Sequence, residues 1–258
     1  MILGKKRLSQ GDRPVRAERA RVVIPQGIGT IYAIGDVHGC LDELVRLEQM
    51  IASDSTAPAG EKLIVMLGDY VDRGPSSAGV IDHLLRPMVK GFTRITLAGN
   101  HEELMLNAIM GRADEAWLEF GGVETLRSYG VSFDSYRASG AGARHKMLAG
   151  LIPQEHLSFL QSLPISLQVE QTVFVHAGIR RDVPLERQVA SDLMWIRREF
   201  LDAAPTDGLL VVHGHTPTET PEVLPGRIGI DTGAFATGRL TAVRLVSGQA
   251  PVFFTTHR

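Results

Sequence analysis

The sequence predicts an α/β fold, and three observations carry the prediction. Beyond Pro25-Gln26-Gly27, apolar runs of strand length alternate with amphipathic stretches of helix length. Five of the apolar runs stop abruptly in a short motif that combines glycine with a carboxylate, an imidazole or an amide. The 258 residues carry 44% apolar side chains and a formal charge of −2, enough to bury one sizeable core and too balanced to point to a nucleic-acid partner. The chain divides into a basic N-terminal extension, residues 1–25, and one folded domain over 26–258.

The extension sets Lys5, Lys6, Arg7, Arg13, Arg16, Arg19 and Arg21 against only Asp12 and Glu18 and reads as a solvated basic segment. Its apolar periodicity is too weak for a membrane-surface helix. Thr30–Ile34 is the first predicted strand, after which Leu41, Leu44, Val45 and Ile51 fall on one helical face. Ser53–Gly60 is a loop, Lys62–Leu67 a strand, Ser77–Leu85 a helix and Thr93–Ala98 a third strand. A mostly helical stretch follows, broken by Gly121-Gly122 and by the small residues of Ala138–Ala143. Strands return at Ile165–Val169, Thr172–Val175, Leu209–Val212, Arg227–Ile230 and Leu240–Val246. No run approaches the roughly 18 apolar residues of a membrane helix. Cys40 is the only cysteine, so no intrachain disulfide forms and a reducing, cytoplasmic setting is expected.

The strand endings carry the chemistry. TIYAI leads into Gly35-Asp36-Val37-His38-Gly39, LIVML into Gly68-Asp69, and ITLA into Gly99-Asn100-His101-Glu102. VFV leads into His176-Ala177-Gly178, and LLVV into His213-Gly214-His215-Thr216. Ligands of α/β sheets collect beyond the carboxyl ends of the strands, so these endings can converge. Carboxylate, imidazole and amide together suit Mn, Fe or Zn better than Ca or Mg, and a shared carboxylate can hold two ions. One Gly-Asp is ordinarily a turn, and one strand-end histidine is ordinarily structural; it is the ordered set that is specific.

The series GDVHG (35–39), GDYVDRG (68–74), GNHE (99–102), HAG (176–178) and GHT (214–216) resembles the phosphoprotein phosphatase family of metallophosphoesterases, in particular its bacterial and bacteriophage Ser/Thr phosphatases. Asp231-Thr232-Gly233-Ala234 fits the same branch. The resemblance implies a calcineurin-like β-sandwich flanked by helices, with a helical cap segment. It implies two divalent ions, manganese before iron or zinc, with Asp36 and His38 on one, Asn100, His176 and His215 on the other, and Asp69 shared. Hydroxide held between the ions would attack phosphorus in line. Arg73 and Arg197, with Asn100, would bind the phosphate, Arg198 being the alternative second arginine. His101, oriented by Asp72, would protonate the leaving alkoxide.

These assignments lead to a phosphomonoesterase acting on phosphoserine or phosphothreonine of a phosphoprotein or phosphopeptide. Two alternatives stay open. Symmetrical diadenosine tetraphosphate hydrolases share GDVHGC, here running through Cys40, but carry alanine where Asp72 stands and aspartate where Glu102 stands; a binding module would lack ligands that are all present here. Glu102 and His213 read as supporting residues, and Trp117 and Phe120 as packing of the cap.

Overall fold

The protein's structure is a computed structural model and describes residues 18–25, 28–112, 114–206 and 208–257. Among the described residues, eleven strands form two sheets. Their ranges are β1 Arg21–Ile24, β2 Thr30–Ile34, β3 Lys62–Met66, β4 Phe92–Thr96, β5 Ser166–Val169, β6 Thr172–Val175, β7 Leu210–His213, β8 Glu222–Leu224, β9 Arg227–Gly229, β10 Thr241–Leu245 and β11 Val252–Thr255. One sheet runs β11-β10-β2-β3-β4, the other β1-β5-β6-β7-β9-β8.

Alternation along the strands explains why two sheets face each other. Ile31 and Ala33 of β2 pack with Leu63, Val65, Phe174 and Val212 between the sheets, while Tyr32 and Ile34 point outward with Ile64 and Met66 onto Leu44 and Leu47. Both faces of β2 and β3 are buried, so TIYAI and KLIVM read as continuous apolar runs. This is the expected β-sandwich flanked by helices.

The helices are α1 Leu41–Ala52, α2 Ser77–Leu85, α3 Asn100–Ile109, α4 Asp114–Trp117, α5 Val123–Ser128, α6 Phe133–Ala138, α7 Ala141–Leu151, α8 Gln154–Ser162, α9 Ala190–Trp195, α10 Arg198–Leu201 and α11 Ala234–Thr237. Helix α1 buries Leu44 and Ile51 of the expected face and also Leu47, while Leu41 and Val45 are half-buried. Between α4 and α5 a π-helical turn spans Leu118–Gly122, with Gly121 at φ 105°.

The expected boundary of the basic extension at residue 25 falls after a strand of the folded body. Residues 21–24 pair in parallel with Ser166–Val169, and Arg19 and Arg21 donate to the carbonyls of Leu160, Leu163, Leu185, Glu186 and Gln188. The charges that read as solvated at these two positions serve as donors to backbone oxygens. Residues 1–17 of the extension lie outside the described residues. Strands β8 and β11 are absent from the sequence-based expectation, since each is a short edge strand whose pairing, not its own pattern, makes it a strand. Among the described residues, no helix is long and apolar enough to cross a membrane.

Candidate active site

Strands β2, β3 and β4 are parallel neighbours in one sheet, and β6 and β7 are parallel neighbours in the other. Their carboxyl ends therefore open on one edge of the sandwich, and the motifs arrive together. Asp36, His38, Asp69, Asn100, His101, His176 and His215 are all buried there.

The backbone is bent to achieve this. Among the described residues six non-glycine residues have positive φ, and five of them, His38, Asp69, Asp72, Arg73 and His215, belong to these loops. Left-handed backbone is costly for side-chain-bearing residues and persists where the surroundings over-determine it. Glu102 does much of the determining: Oε2 accepts from the N–H groups of Asp69 and Gly99 at 2.8 Å each, and Oε1 from that of Tyr70 at 2.7 Å. Gly99 must lack a side chain, because a Cβ there would strike the Asp69 carboxylate.

Hydrogen bonds set the imidazoles. His38 Nδ1 donates to the Val71 carbonyl at 2.8 Å and His176 Nδ1 to the Leu67 carbonyl at 2.9 Å, so each Nε2 is turned inward. Asp69 Oδ2 lies 3.5 Å from His38 Nε2 and 3.4 Å from His176 Nε2. His176 Nε2 also meets Asn100 Oδ1 at 2.9 Å and His215 Nδ1 at 3.1 Å. The donor atoms fall into two groups sharing Asp69: His38, Asp69 and His101, and Asp69, His176 and His215. Buried His215 Nε2 has no hydrogen-bond partner.

Electrostatics describe a pocket that wants positive charge. Burial works against charging His176, yet Asp69 and Asp36 outweigh it and raise its pKa to about 10. Burial pushes His38 down to about 3, against the pull of Asp69, and burial with the charge on His176 pushes His215 down to about 2. Burial and then Asp231 hold the Asp36 carboxyl well above the usual range. A field that protonates one imidazole and leaves its neighbours neutral is one that a divalent ion would satisfy in the proton's place. The donor set therefore fits metal.

The expected ligands are assembled with two qualifications of place. Asp36 stands outside both groups, with both carboxylate oxygens accepting from the His215 N–H at 3.2 and 3.0 Å. His101, expected as an acid and not a ligand, stands in one of them because its Nε2 is 3.8 Å from Asp69 Oδ2. The Arg73 guanidinium reaches His38 Nε2 and His101 Nε2, both at 3.1 Å. Arg73 thus caps the group from the cleft side, with its guanidinium over the Phe235 ring at 4.9 Å.

His101 Nδ1 lies 2.7 Å from Asp72 Oδ2, the pairing expected from the sequence. Burial lowers the pKa of His101, but Asp69 and Asp72 outweigh burial and raise it. Asp72 accepts more than this. Trp117 Nε1–H donates to Oδ1 at 2.9 Å and the Thr125 hydroxyl to the same oxygen at 2.7 Å. These two partners, 45 and 53 residues away, escape sequence reasoning because nothing local links them to Asp72. Trp117 is packing, as expected, and also a donor.

The rim differs from expectation at Phe120. It is 42% exposed rather than packed in the cap. Gly121 and Gly122 explain why: a Cβ on Gly121 would reach Arg73 backbone nitrogen at 2.9 Å, and one on Gly122 the Trp117 ring at 2.6 Å. The π-turn tucks both glycines against the core and turns Phe120 outward. Its ring lies 6.1 Å from His101 and 5.9 Å from Trp195, which is 6.2 Å from His215. Phe235, also without a signal in the sequence, lies 5.5 Å from His38. Arg197 is exposed and donates to Thr216 Oγ1 at 3.1 Å, beside His215. His213 is packed, 5.1 Å from Phe200 with its Nδ1 on the Gly214 carbonyl.

A family model described as calcineurin-like phosphoesterase matches residues 29–244, which contain every strand ending above. The chain belongs to that family. This phosphoesterase is 29% identical over 231 residues to an asymmetrical bis(5'-nucleosyl)-tetraphosphatase, PrpE of Halalkalibacterium halodurans, with 82% of this chain and 88% of the relative covered. Among solved structures it is similar to a candidate diadenosine tetraphosphatase, with a TM-score of 0.65, 22% identity and coverage of 92% of this chain and 98% of that one. A cold-active protein tyrosine phosphatase follows at a TM-score of 0.59 and 18% identity, with 92% and 81% covered. At such identities these two structures speak for the fold of the phosphoesterase.

Proposed function

We propose that this phosphoesterase hydrolyses bis(5'-nucleosyl) tetraphosphates asymmetrically, releasing a nucleoside triphosphate and a nucleoside monophosphate. The observation that carries the reading is the likeness to a relative named for that reaction, which covers 82% of this chain and 88% of the relative. It displaces the protein phosphatase as first reading. Asp72 argued for the phosphatase, but its bonds to Trp117 and Thr125 tie the cap to the core whatever the leaving group.

Asp36, His38, Asp69, Asn100, His176 and His215 would hold two divalent ions, manganese before iron or zinc. Such ions draw charge from phosphoryl oxygens and make water nucleophilic near neutral pH. Arg73 and Arg197 have the planar fork that suits two oxygens of a phosphate. His101, held by Asp72 through Nδ1, can carry a second proton at Nε2. A nucleoside triphosphate leaves readily and needs little of that proton.

The Asp72–His101 pair favours a second reading, phosphoserine or phosphothreonine hydrolysis, because a departing alkoxide does need the proton. The test is kcat/KM of chelator-stripped, manganese-reconstituted protein on diadenosine tetraphosphate and on a phosphoserine peptide, with nucleotide products separated. AMP with ATP supports the proposal. Two ADP would make the cleavage symmetrical, and preference for the peptide would restore the second reading.

A further inference from the structure

Phe120 and Trp195 come from segments 75 residues apart yet meet with ring centroids 5.9 Å apart and planes at 82°. Two perpendicular rings make a corner. One end of it rests on His101 and the other on His215, whose rings lie 6.1 and 6.2 Å away, so the corner spans the cluster from its first donor group to its second. Phe120 is 42% exposed and Trp195 is half-buried, packed on one side against the core, whereas the other tryptophan, Trp117, is wholly buried. Two adjoining aromatic rings partly open to water at the mouth of the donor cluster offer a surface that the flat face of a ligand can cover. The glycine pair that turns Phe120 outward shows that its exposure is built into the fold.

We infer that Phe120 and Trp195 form a stacking corner for a nucleobase of the substrate. The inference rests on the tetraphosphatase reading and names the part of the dinucleotide this surface takes. A nucleotide carries its base one ribose away from its phosphate, which is the relation of this corner to the cluster. A purine can lie flat on one ring while its edge meets the other, and aromatic stacking of this kind accepts any base. Arg197, beside His215 on the Trp195 side, would meet the phosphates that follow. On the far side of the cluster, Arg73 already covers Phe235, which leaves the Phe120–Trp195 pair as the open aromatic surface of the three rim rings.

Tryptophan fluorescence reads the proposal without turnover. Titrating chelator-treated protein with AMP is expected to quench Trp195, while inorganic tripolyphosphate, which has no base, leaves the emission unchanged. Phe120→Leu keeps an apolar side chain and removes the ring; it is expected to weaken the AMP response roughly tenfold and to raise KM for diadenosine tetraphosphate by a similar factor at nearly constant kcat. Phe120→Tyr is expected to restore both. Equal quenching by AMP and tripolyphosphate, or a KM unmoved by Phe120→Leu, overturns the stacking corner while leaving the tetraphosphatase reading intact. A wild-type protein that hydrolyses phosphoserine peptide and not the dinucleotide, with Phe120→Leu raising KM for the peptide, overturns both and assigns the corner to a peptide side chain.

Discussion

Asp69 and Phe120 both neighbour His101, and they differ in how much of the chain holds them. Asp69 is buried, sits on left-handed backbone, and has its own N–H bound by Glu102 and its carboxylate bound to the His101 N–H. Phe120 is exposed, and its ring meets those of His101 and Trp195. The difference separates two tasks. A site that binds cations and bears on phosphorus tolerates little displacement of its donors, so it is built from interlocked backbone bonds. A surface that chooses what is attached to the phosphate needs only shape and polarity, and side chains there can be exchanged at small structural cost.

Asp69→Asn should separate the two regions most strongly. Because Asp69 belongs to both donor groups, bound metal measured by mass spectrometry should fall, and turnover should drop more than about a hundredfold on every phosphoester tried. Retained metal with lost turnover would show that Asp69 is not what holds the ions. Glu102→Gln comes next. It replaces one of the two oxygens that now accept from the Asp69, Tyr70 and Gly99 N–H groups by an NH2 group that faces those donors, and about 2–4 kcal/mol of stability should be lost in urea denaturation. A loss below about 0.5 kcal/mol, the effect of an ordinary surface change, would contradict the role given to Glu102.

Asp72→Asn probes the boundary between cluster and cap. The native carboxylate helps raise the His101 pKa, so removing it should lower that pKa and make the imidazole lose its proton at lower pH. The alkaline fall of kcat on a phosphoserine peptide should then shift to lower pH. An unmoved limb would remove His101 from proton donation.

A still smaller effect is expected far from both regions, at Asp54. Burial would raise its pKa, but hydrogen bonds from Thr56, Tyr32 and Arg244 outweigh burial and hold it at about 2, below the ordinary 3.8. A depressed carboxylate stabilises the fold above its unfolded pKa, and that contribution disappears as pH falls toward the folded value. Asp54→Asn should therefore lower Tm at pH 7, cost about 1–2 kcal/mol, and differ little from wild type near pH 2, with unchanged catalysis throughout. A Tm difference that persists at pH 2 would mean that packing, not charge, is lost.

Which chemical groups stand at which strand ends is written in the amino-acid sequence. That information is local: apolar runs name the strands, the residues immediately after them name candidate donors, and the family resemblance selects Asp36, His38, Asp69, Asn100, His176 and His215 from among them. The pairing of His101 with Asp72 is legible too, through the family's motif. Contacts between distant segments are another matter, and only folding reveals them. Folding joins Trp117 and Thr125 to Asp72, turns Phe120 out to meet Trp195, sets Phe235 under Arg73, and draws Arg21–Ile24 into a sheet beside β5. Such contacts are made by burial and sheet order, which bring together residues whose local sequences carry no mark of one another. Asp72 is the sharpest case: as a motif residue it points to a leaving group, and its buried partners disclose that it also holds the cap in place.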